Sequence, residues 1–476
     1  MAEKISDKTQ IQKHRWLILT AVSLFTFMST LDSSIVNIAL PVMSKSMQIP
    51  MNQTEWVVSV YLIVICALLL LFGKISDIKG KVRIFKIGSY IFTISSFLSG
   101  LNLGLSVLLV SRALQALGAA MTMSTNNGII TEVFPLNERG RALGMIGSFV
   151  AFGTIAGSGI GGLILTHLSC GFIFWINVLV GIVAIIIGQY ILPVEKISSS
   201  TSKSVDWWGA LSFAVAIVSL FIGIFVGQEI GFGKLSIIAL FIVAVISFLS
   251  FYYIERHVEN PLLSFSLFKN SRFSVSTLCA FLIFVIMFFF TAIAPFYLEN
   301  ALRMPTNLAG LVLMISPIFQ VIVAPIAGAI SDRIGAEVLT FIGLIFVLIS
   351  QIGYMMTGLK TPLLLFAVFI ALFGLGNGIF QAPNNSVIMS SVPVKSLGVA
   401  GGISALARNL GMVIGISGAT TVLFSTMSHI HGSRVTTFLA HDPQLFISGM
   451  HVVFGVALAL CLIAIGLTGW RLITRK

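Results

Sequence analysis

The sequence predicts an all-α polytopic membrane protein: fourteen transmembrane helices, arranged as two six-helix bundles plus a two-helix central insertion. Three observations carry that prediction. The chain of 476 residues is 57% hydrophobic and 9% charged, more apolar surface than a water-soluble fold of this length can bury, so its solvent is lipid. Fourteen apolar runs are long enough for a bilayer core about 30 Å thick, which takes roughly 20 helical residues. The stretch Gly73-Lys-Ile-Ser-Asp77-Ile-Lys-Gly80 also returns 255 positions later as Gly328-Ala-Ile-Ser-Asp332-Arg-Ile-Gly335, so the chain is internally duplicated.

In order, spans are expected near 16–40, 54–72, 84–101, 105–131, 142–166, 172–192, 207–227, 236–254, 273–298, 308–330, 337–357, 362–388, 399–424 and 448–470. The first follows a basic polar segment and is too long for a cleaved leader, with no small-residue cleavage site, so it reads as a retained helix closed by Pro41. The second ends on the polar, glycine-punctuated stretch 73–80, expected to be a turn. The third and fourth are divided by a short polar break. A serine-rich linker, Glu195 to Asp206, follows the sixth. Spans seven and eight form a hairpin closed by a second basic loop, Glu255 to Arg272. The tenth ends on the second copy of the turn, so each copy closes the second span of its own set of six. The domains are therefore expected at 1–192, 193–272 and 273–476. The 43 glycines against 13 prolines suit close helix packing. No ten-residue stretch alternates with period two, which argues against a β-barrel.

The net charge of +12 suggests nucleic acid only until its placement is read. With the N-terminus inside, the inner segments hold 21 of the Lys and Arg residues and the outer ones five: Lys45, Lys234, Arg303, Lys360 and Arg434. That positive-inside bias places the chain in a cell membrane with both termini cytoplasmic, and nucleic acid is not an expected partner. Cys66, Cys170, Cys279 and Cys461 are scattered through apolar runs and form no disulfide or metal pattern. His429, His431 and His441, in the longest outer loop, lack acidic or cysteine companions, so a solvated loop is the reading there, not a metal site. No cofactor is expected.

Few charges lie deep. Asp32 sits nine positions before Pro41, about 13 Å in at the helical rise. A carboxylate there costs about 2.5 to 3.5 kcal/mol on insertion scales unless it is paired, hydrated or protonated. Loss of water favours its neutral form and a nearby cation its charged form, so such a group can load and release a proton as its surroundings change. The plainer reading is a structural carboxylate at a kink, partnered by Ser33, Ser34 and Asn37. Arg112, in the fourth span, is expected at a similar depth, and buried membrane charges face the bundle interior and pair. An Asp32–Arg112 link, direct or through water, is the expected proton relay; the alternative is an arginine that only ties its helix to neighbouring carbonyls. Gln115, Thr122 and Asn126 extend the polar stripe at helical spacing.

At these residues the chain resembles the major facilitator superfamily, and within it the fourteen-helix drug:proton antiporters of the QacA and EmrB type. Leu31 to Pro41 is similar to that branch's first-helix signature, Gly73 to Arg83 to the superfamily's loop motif, Arg112 to Gly118 to its fourth-helix motif, and Gly153 to Gly162 to the fifth-helix antiporter motif. The resemblance implies alternating access driven by protons, with a small molecule as cargo. It implies a conformational latch built from Gly73, Asp77, Gly80, Lys81 and Arg83, with Asp332 and Arg333 as the weaker second copy. It also implies an antiporter role for Gly153, Gly157, Gly161 and Gly162; helix packing is the plainer reading, and Ser158 stands where the family usually has proline. Substrate-cavity candidates are Asn37, Gln115, Phe289, Gln320, Asn377, Gln381 and Asn384: amides and one aromatic within apolar spans imply a wet cavity or interhelical hydrogen bonds.

There is no phosphate-binding Gly-x4-Gly-Lys-Ser/Thr motif and no soluble segment long enough for an ATPase, so an ion gradient must supply the energy. An enzyme needs clustered His, Asp or Glu at depth, and a channel would show a repeated filter sequence; neither pattern is present. The expectation is a proton-coupled exporter of lipophilic, cationic or amphiphilic compounds, or alternatively a dedicated transporter of a single metabolite or antibiotic. Two bundles suffice for either, so a monomer is expected to function.

Overall fold

The computed structural model describes residues 8–193, 204–433, 435 and 442–473. Most of the serine-rich linker, together with Arg434 and His441, lies outside the described residues. Within them the regular secondary structure is all helical, as the membrane-crossing segments must be in lipid, where a helix satisfies every backbone N–H and C=O within its own segment. Fourteen helices of 19 residues or more follow one another: α1 (Arg15–Met47), α2 (Trp56–Lys79), α3 (Lys81–Ser99), α4 (Leu105–Val133), α5 (Arg139–His167), α6 (Phe172–Ile191), α7 (Trp207–Ile230), α8 (Leu235–His257), α9 (Ser271–Phe296), α10 (Ile315–Ile334), α11 (Ala336–Met356), α12 (Leu363–Ser390), α13 (Leu397–His431) and α14 (Pro443–Ile473).

Thirteen of the described helices are long and apolar enough to cross a membrane. The exception is α3, whose first six residues include Lys81, Arg83 and Lys86. Two local expectations need correction. Pro41 does not end the first helix: α1 runs on to Met47 with Pro41 inside it, which puts Asp32 near its middle. The stretch 73–80 is not a turn along its length either. It stays helical to Lys79 and turns only at Gly80, at φ 97° and ψ 131°.

The second copy does the same thing. Gly335 ends α10 at φ 98° and ψ 136°. Both conformations lie where a Cβ clashes, so glycine is required. In each copy the preceding serine bonds back to a glycine carbonyl, Ser76 to Gly73 and Ser331 to Gly328, at 2.7 Å. The duplication extends into the next helix pair. A Cβ on Gly88 of α3 would lie 2.8 Å from the carbonyl oxygen of Gly118 on α4, and one on Gly343 of α11 would lie 2.8 Å from that of Gly376 on α12. Small residues let these backbones touch.

Packing divides the chain into two compact units. One takes in Met1–Ala142, Phe149–Lys269 and Met389–Leu406; the other takes in Leu143–Ser148, Asn270–Ile388 and Ala407–Lys476. Within the first, α7 and α8 pack on each other and α7 lies against α2. Much of α8 turns apolar side chains outward, among them Val245, Ile246 and Leu249, as a lipid-facing helix does. The second unit is centred on an aromatic core that includes Phe289, Phe290, Tyr354, Phe373 and Phe454. The four cysteines are buried and unbridged.

The α3–α4 crossing yields a test. Gly118→Val would force a side chain against the backbone of Gly88 and Phe92. Thermal unfolding of the detergent-purified protein should show a loss of about 1–3 kcal/mol, the usual cost of overpacking, whereas Gly162→Val, at a position with open space around it, should leave the midpoint unchanged.

Candidate functional site

Asp32 and Arg112 meet directly. Arg112 Nη1 donates to Asp32 Oδ2 at 2.7 Å, and the two residues are 1% and 0% exposed. The helices that carry them, α1 and α4, bring them together from positions 80 apart in sequence. Arg112 Nη1 also donates to Gln115 Oε1 at 2.6 Å, one turn along α4. Gln115 Nε2 in turn donates to Asp32 Oδ1 at 3.1 Å and to Ser96 Oγ of α3 at 2.9 Å. The result is a closed ring of three side chains in which both carboxylate oxygens are engaged.

Two neighbours complete it. Asn177 of α6 donates through Nδ2 to Asp32 Oδ1 at 2.7 Å, and Arg112 Nε donates to the Val57 carbonyl of α2 at 3.1 Å. The guanidinium carbon sits 4.2 Å from the centroid of the Tyr61 ring and 5.8 Å from that of Phe174, so aromatic faces cover the cation. Leu31, Ile35, Val57, Leu108 and Ile173 belong to one apolar cluster on the same helices. Asp32 and Arg112 are buried, and their charge–charge contact is stronger for it. In this arrangement both Asp32 oxygens are engaged by one cation and two amide donors, and neither is left free for cargo.

Asn177, Ser96 and Tyr61 escaped the sequence reading. The available signal was weak: Asn177 is one of two amides, with Gln189, in the mainly apolar α6, and a serine and a tyrosine are common in membrane helices. Asn126, by contrast, belongs to a different contact, donating to Thr26 Oγ1 at 3.3 Å.

A second charged cluster gathers around the first copy of the repeat. Asp77 Oδ1 and Oδ2 accept the backbone N–H groups of Gly398 and Val399 at 2.7 and 2.9 Å. These are the first turn of α13, where unpaired N–H groups and the helix dipole attract an anion. Lys81 lies 3.3 Å from Asp77 and 2.7 Å from Glu132 of α4, so Glu132, exposed at the end of α4, is also an ion-pair partner. Gly73 and Gly398 are in backbone contact, a Cβ on Gly73 falling 2.7 Å from the Gly398 oxygen. Arg83 is exposed, as is Arg333, while Asp332 is half-buried.

The remaining expected residues scatter. Gly153, Gly157 and Gly161 of α5 lie against α1, with positions for a Cβ falling on Thr30, Ser34 and Ile35 respectively, whereas Gly162 faces open space. Asn37 is exposed and takes no part in the Asp32 ring. Phe289 is packed in the apolar core of the second unit. Gln320 is buried. Asn377 and Asn384 donate to the Phe373 and Ser276 carbonyls at 3.0 and 2.9 Å, and Gln381 contacts Met287. Arg471 is buried, donating to Ser276 Oγ and Thr340 Oγ1 at 2.5 and 2.6 Å.

The family model for the Major Facilitator Superfamily matches residues 22–416, and the chain belongs to that family. It is therefore a multi-pass membrane transporter of small molecules and not an enzyme. It is 35% identical over 456 residues to the riboflavin transporter RibZ of Clostridioides difficile, covering 96% of this chain and 97% of that one. It is 28% identical over 415 residues to the multidrug resistance protein Stp of Mycobacterium tuberculosis, with 87% and 76% covered, and 27% identical over 425 residues to the multidrug export protein EmrB of Haemophilus influenzae, with 88% and 82% covered. Among solved structures, the proton:xylose symporter XylE aligns over 94% of this chain and 95% of its own, with a TM-score of 0.64 at 14% identity, a likeness of fold alone.

The buried pair makes a specific demand on stability. Arg112→Leu would leave the Asp32 carboxylate buried without its cation, at a cost of about 3–5 kcal/mol, read as a lower unfolding midpoint in detergent. Adding Asp32→Asn removes the stranded charge, so the double variant should unfold at a higher temperature than the Arg112→Leu single variant. Separately, Asp77→Ala should cost about 1–3 kcal/mol, because two buried N–H groups of α13 lose their acceptor.

Proposed function

We propose that this major facilitator superfamily transporter is a proton-coupled exporter of lipophilic, cationic or amphiphilic compounds. In this reading it has fourteen spans, with bundles at 1–192 and 273–476 and a hairpin within 193–272, both termini lie in the cytoplasm, and a single copy suffices. The observation that carries the reading is the closed Asp32–Arg112–Gln115–Asn177 group. A carboxylate with every donor accounted for can take a proton only if Arg112 moves away, and Arg112 can move away at low cost only if Asp32 takes a proton. Protonation and helix movement are thereby tied together, as coupling to a gradient requires. The same closure argues against Asp32 as the direct cargo ligand in this conformation. Asp77 on the first turn of α13, with Lys81 and Glu132, serves as the latch, a contact of a few kcal/mol sufficient to bias two conformers. The drug-export relatives support the choice of cargo.

A second reading, a dedicated transporter of one metabolite, is favoured by a specific observation: the 35% identity to a riboflavin transporter along nearly the full length of both chains. Flavin, a planar ring system with a polar tail, is then the cargo to try first.

Both readings meet in one experiment. The purified protein is reconstituted in liposomes under an imposed pH gradient, with ethidium and riboflavin as alternative cargoes. Gradient-driven movement of the lipophilic cation, reduced to background in Asp32→Asn, is the expected result. Riboflavin movement without ethidium movement selects the second reading, and flux that survives Asp32→Asn unchanged removes proton coupling at this residue from both.

A further inference from the structure

The hairpin of α7 and α8 carries a pair of buried acids that the Asp32 site does not use. Asp206 caps α7, its Oδ1 accepting the Gly209 N–H at 2.9 Å. Glu255, in the last turn of α8, accepts the Leu263 N–H through Oε2 at 3.0 Å. The two residues are 7% and 4% exposed. Each keeps one oxygen, Asp206 Oδ2 and Glu255 Oε1, buried and without a hydrogen-bond partner among the described residues.

These two oxygens converge. Both lie within 2.7 Å of the point that a Cβ on Gly209 would occupy, so the space they share exists because residue 209 has no side chain. Lys74 of α2 faces the pair from the neighbouring helix. It acts electrostatically on Glu255, as Asp206 does, and its Nζ donates to the Pro261 carbonyl at 2.7 Å. The other nearby cation, Arg256, lies over the Tyr252 ring, 4.9 Å from its centroid.

Two like charges this close and this dry cannot both persist beside one ammonium group. A single proton resolves the conflict, leaving one carboxylic acid, one carboxylate and Lys74 to balance it. A hard metal cation fits less well, since it takes six or more oxygen ligands and no group of three or more His, Cys, Asp or Glu able to hold a metal occurs among the described residues. We propose that Asp206 and Glu255 together bind one proton, forming a titratable site on the central hairpin that is separate from Asp32. Loss of that proton sets two bare carboxylates against each other at the junction of α7, α8 and α2, so the hairpin's hold on α2 depends on pH. The proposal does not rest on the cargo or on the coupling role of Asp32.

Infrared pH titration of the full-length protein in detergent tests it, because a protonated buried carboxyl and a carboxylate have separate carbonyl stretches. Asp206→Asn keeps a good helix cap and Glu255→Gln keeps an oxygen for the Leu263 N–H, so both variants should fold. Wild type and Asp32→Asn should each show a carboxyl band that disappears as pH rises, accounting for one proton per chain, and each hairpin variant should lose it. A titration untouched by both hairpin substitutions, or one lost only in Asp32→Asn, overturns the proposal. So does a band displaced by Na⁺ at constant pH, which would mark a metal cation as the ligand.

Discussion

A charge cannot be left alone in hydrocarbon, and that rule organises the first unit around Asp32. The carboxylate recruits Arg112 and Gln115 from α4 and Asn177 from α6, while Arg112 reaches α2 through Val57 and Tyr61. Four helices are thus tied at one buried point. The attraction is strong because both charges are buried, within a unit whose helices also carry the apolar cluster of Leu31, Ile35, Leu108 and Ile173. Apolar packing and ionic pairing are one device here, since each fails without the other.

The internal repeat copies backbone more faithfully than chemistry. Gly80 and Gly335 adopt nearly the same positive φ, and the Gly88–Gly118 approach recurs as Gly343–Gly376. Counting back from those last glycines, Arg112 and Gln115 correspond to Ile370 and Phe373, both buried among apolar side chains. The second copy therefore has the helix crossing without the charge. An asymmetric division of labour follows: the proposed proton chemistry belongs to the first copy, while the second offers an aromatic core around Tyr354.

Charges at helix ends do the rest of the positioning, and each works through backbone N–H groups. Asp77 holds the first turn of α13, Asp206 caps α7, and Glu255 gathers the loop after α8. A carboxylate in such a place compensates for donors that lipid would leave unsatisfied. The hairpin is thus more than a lipid-facing addition, because its polar end meets Lys74 of the repeated motif.

The sequence by itself determined that the solvent is lipid, that helices cross it, and that two copies of one template set their register, because hydropathy, length and glycine spacing are properties of contiguous residues. Asp32 and Arg112 were legible for the same reason: a charge inside an apolar run is visible without any partner. Only the tertiary structure decided that Asn177 and Ser96 complete their circle, that Glu132 pairs with Lys81, that Arg471 is buried, that Asn37 is exposed and that Phe289 packs in an apolar core. Those outcomes depend on which face each helix turns inward, and the moments of helices apolar on all sides leave that rotation to packing. Pro41 and the 73–80 stretch misled for a related reason, since neighbouring helices can satisfy the backbone groups that a proline or a polar segment would otherwise expose.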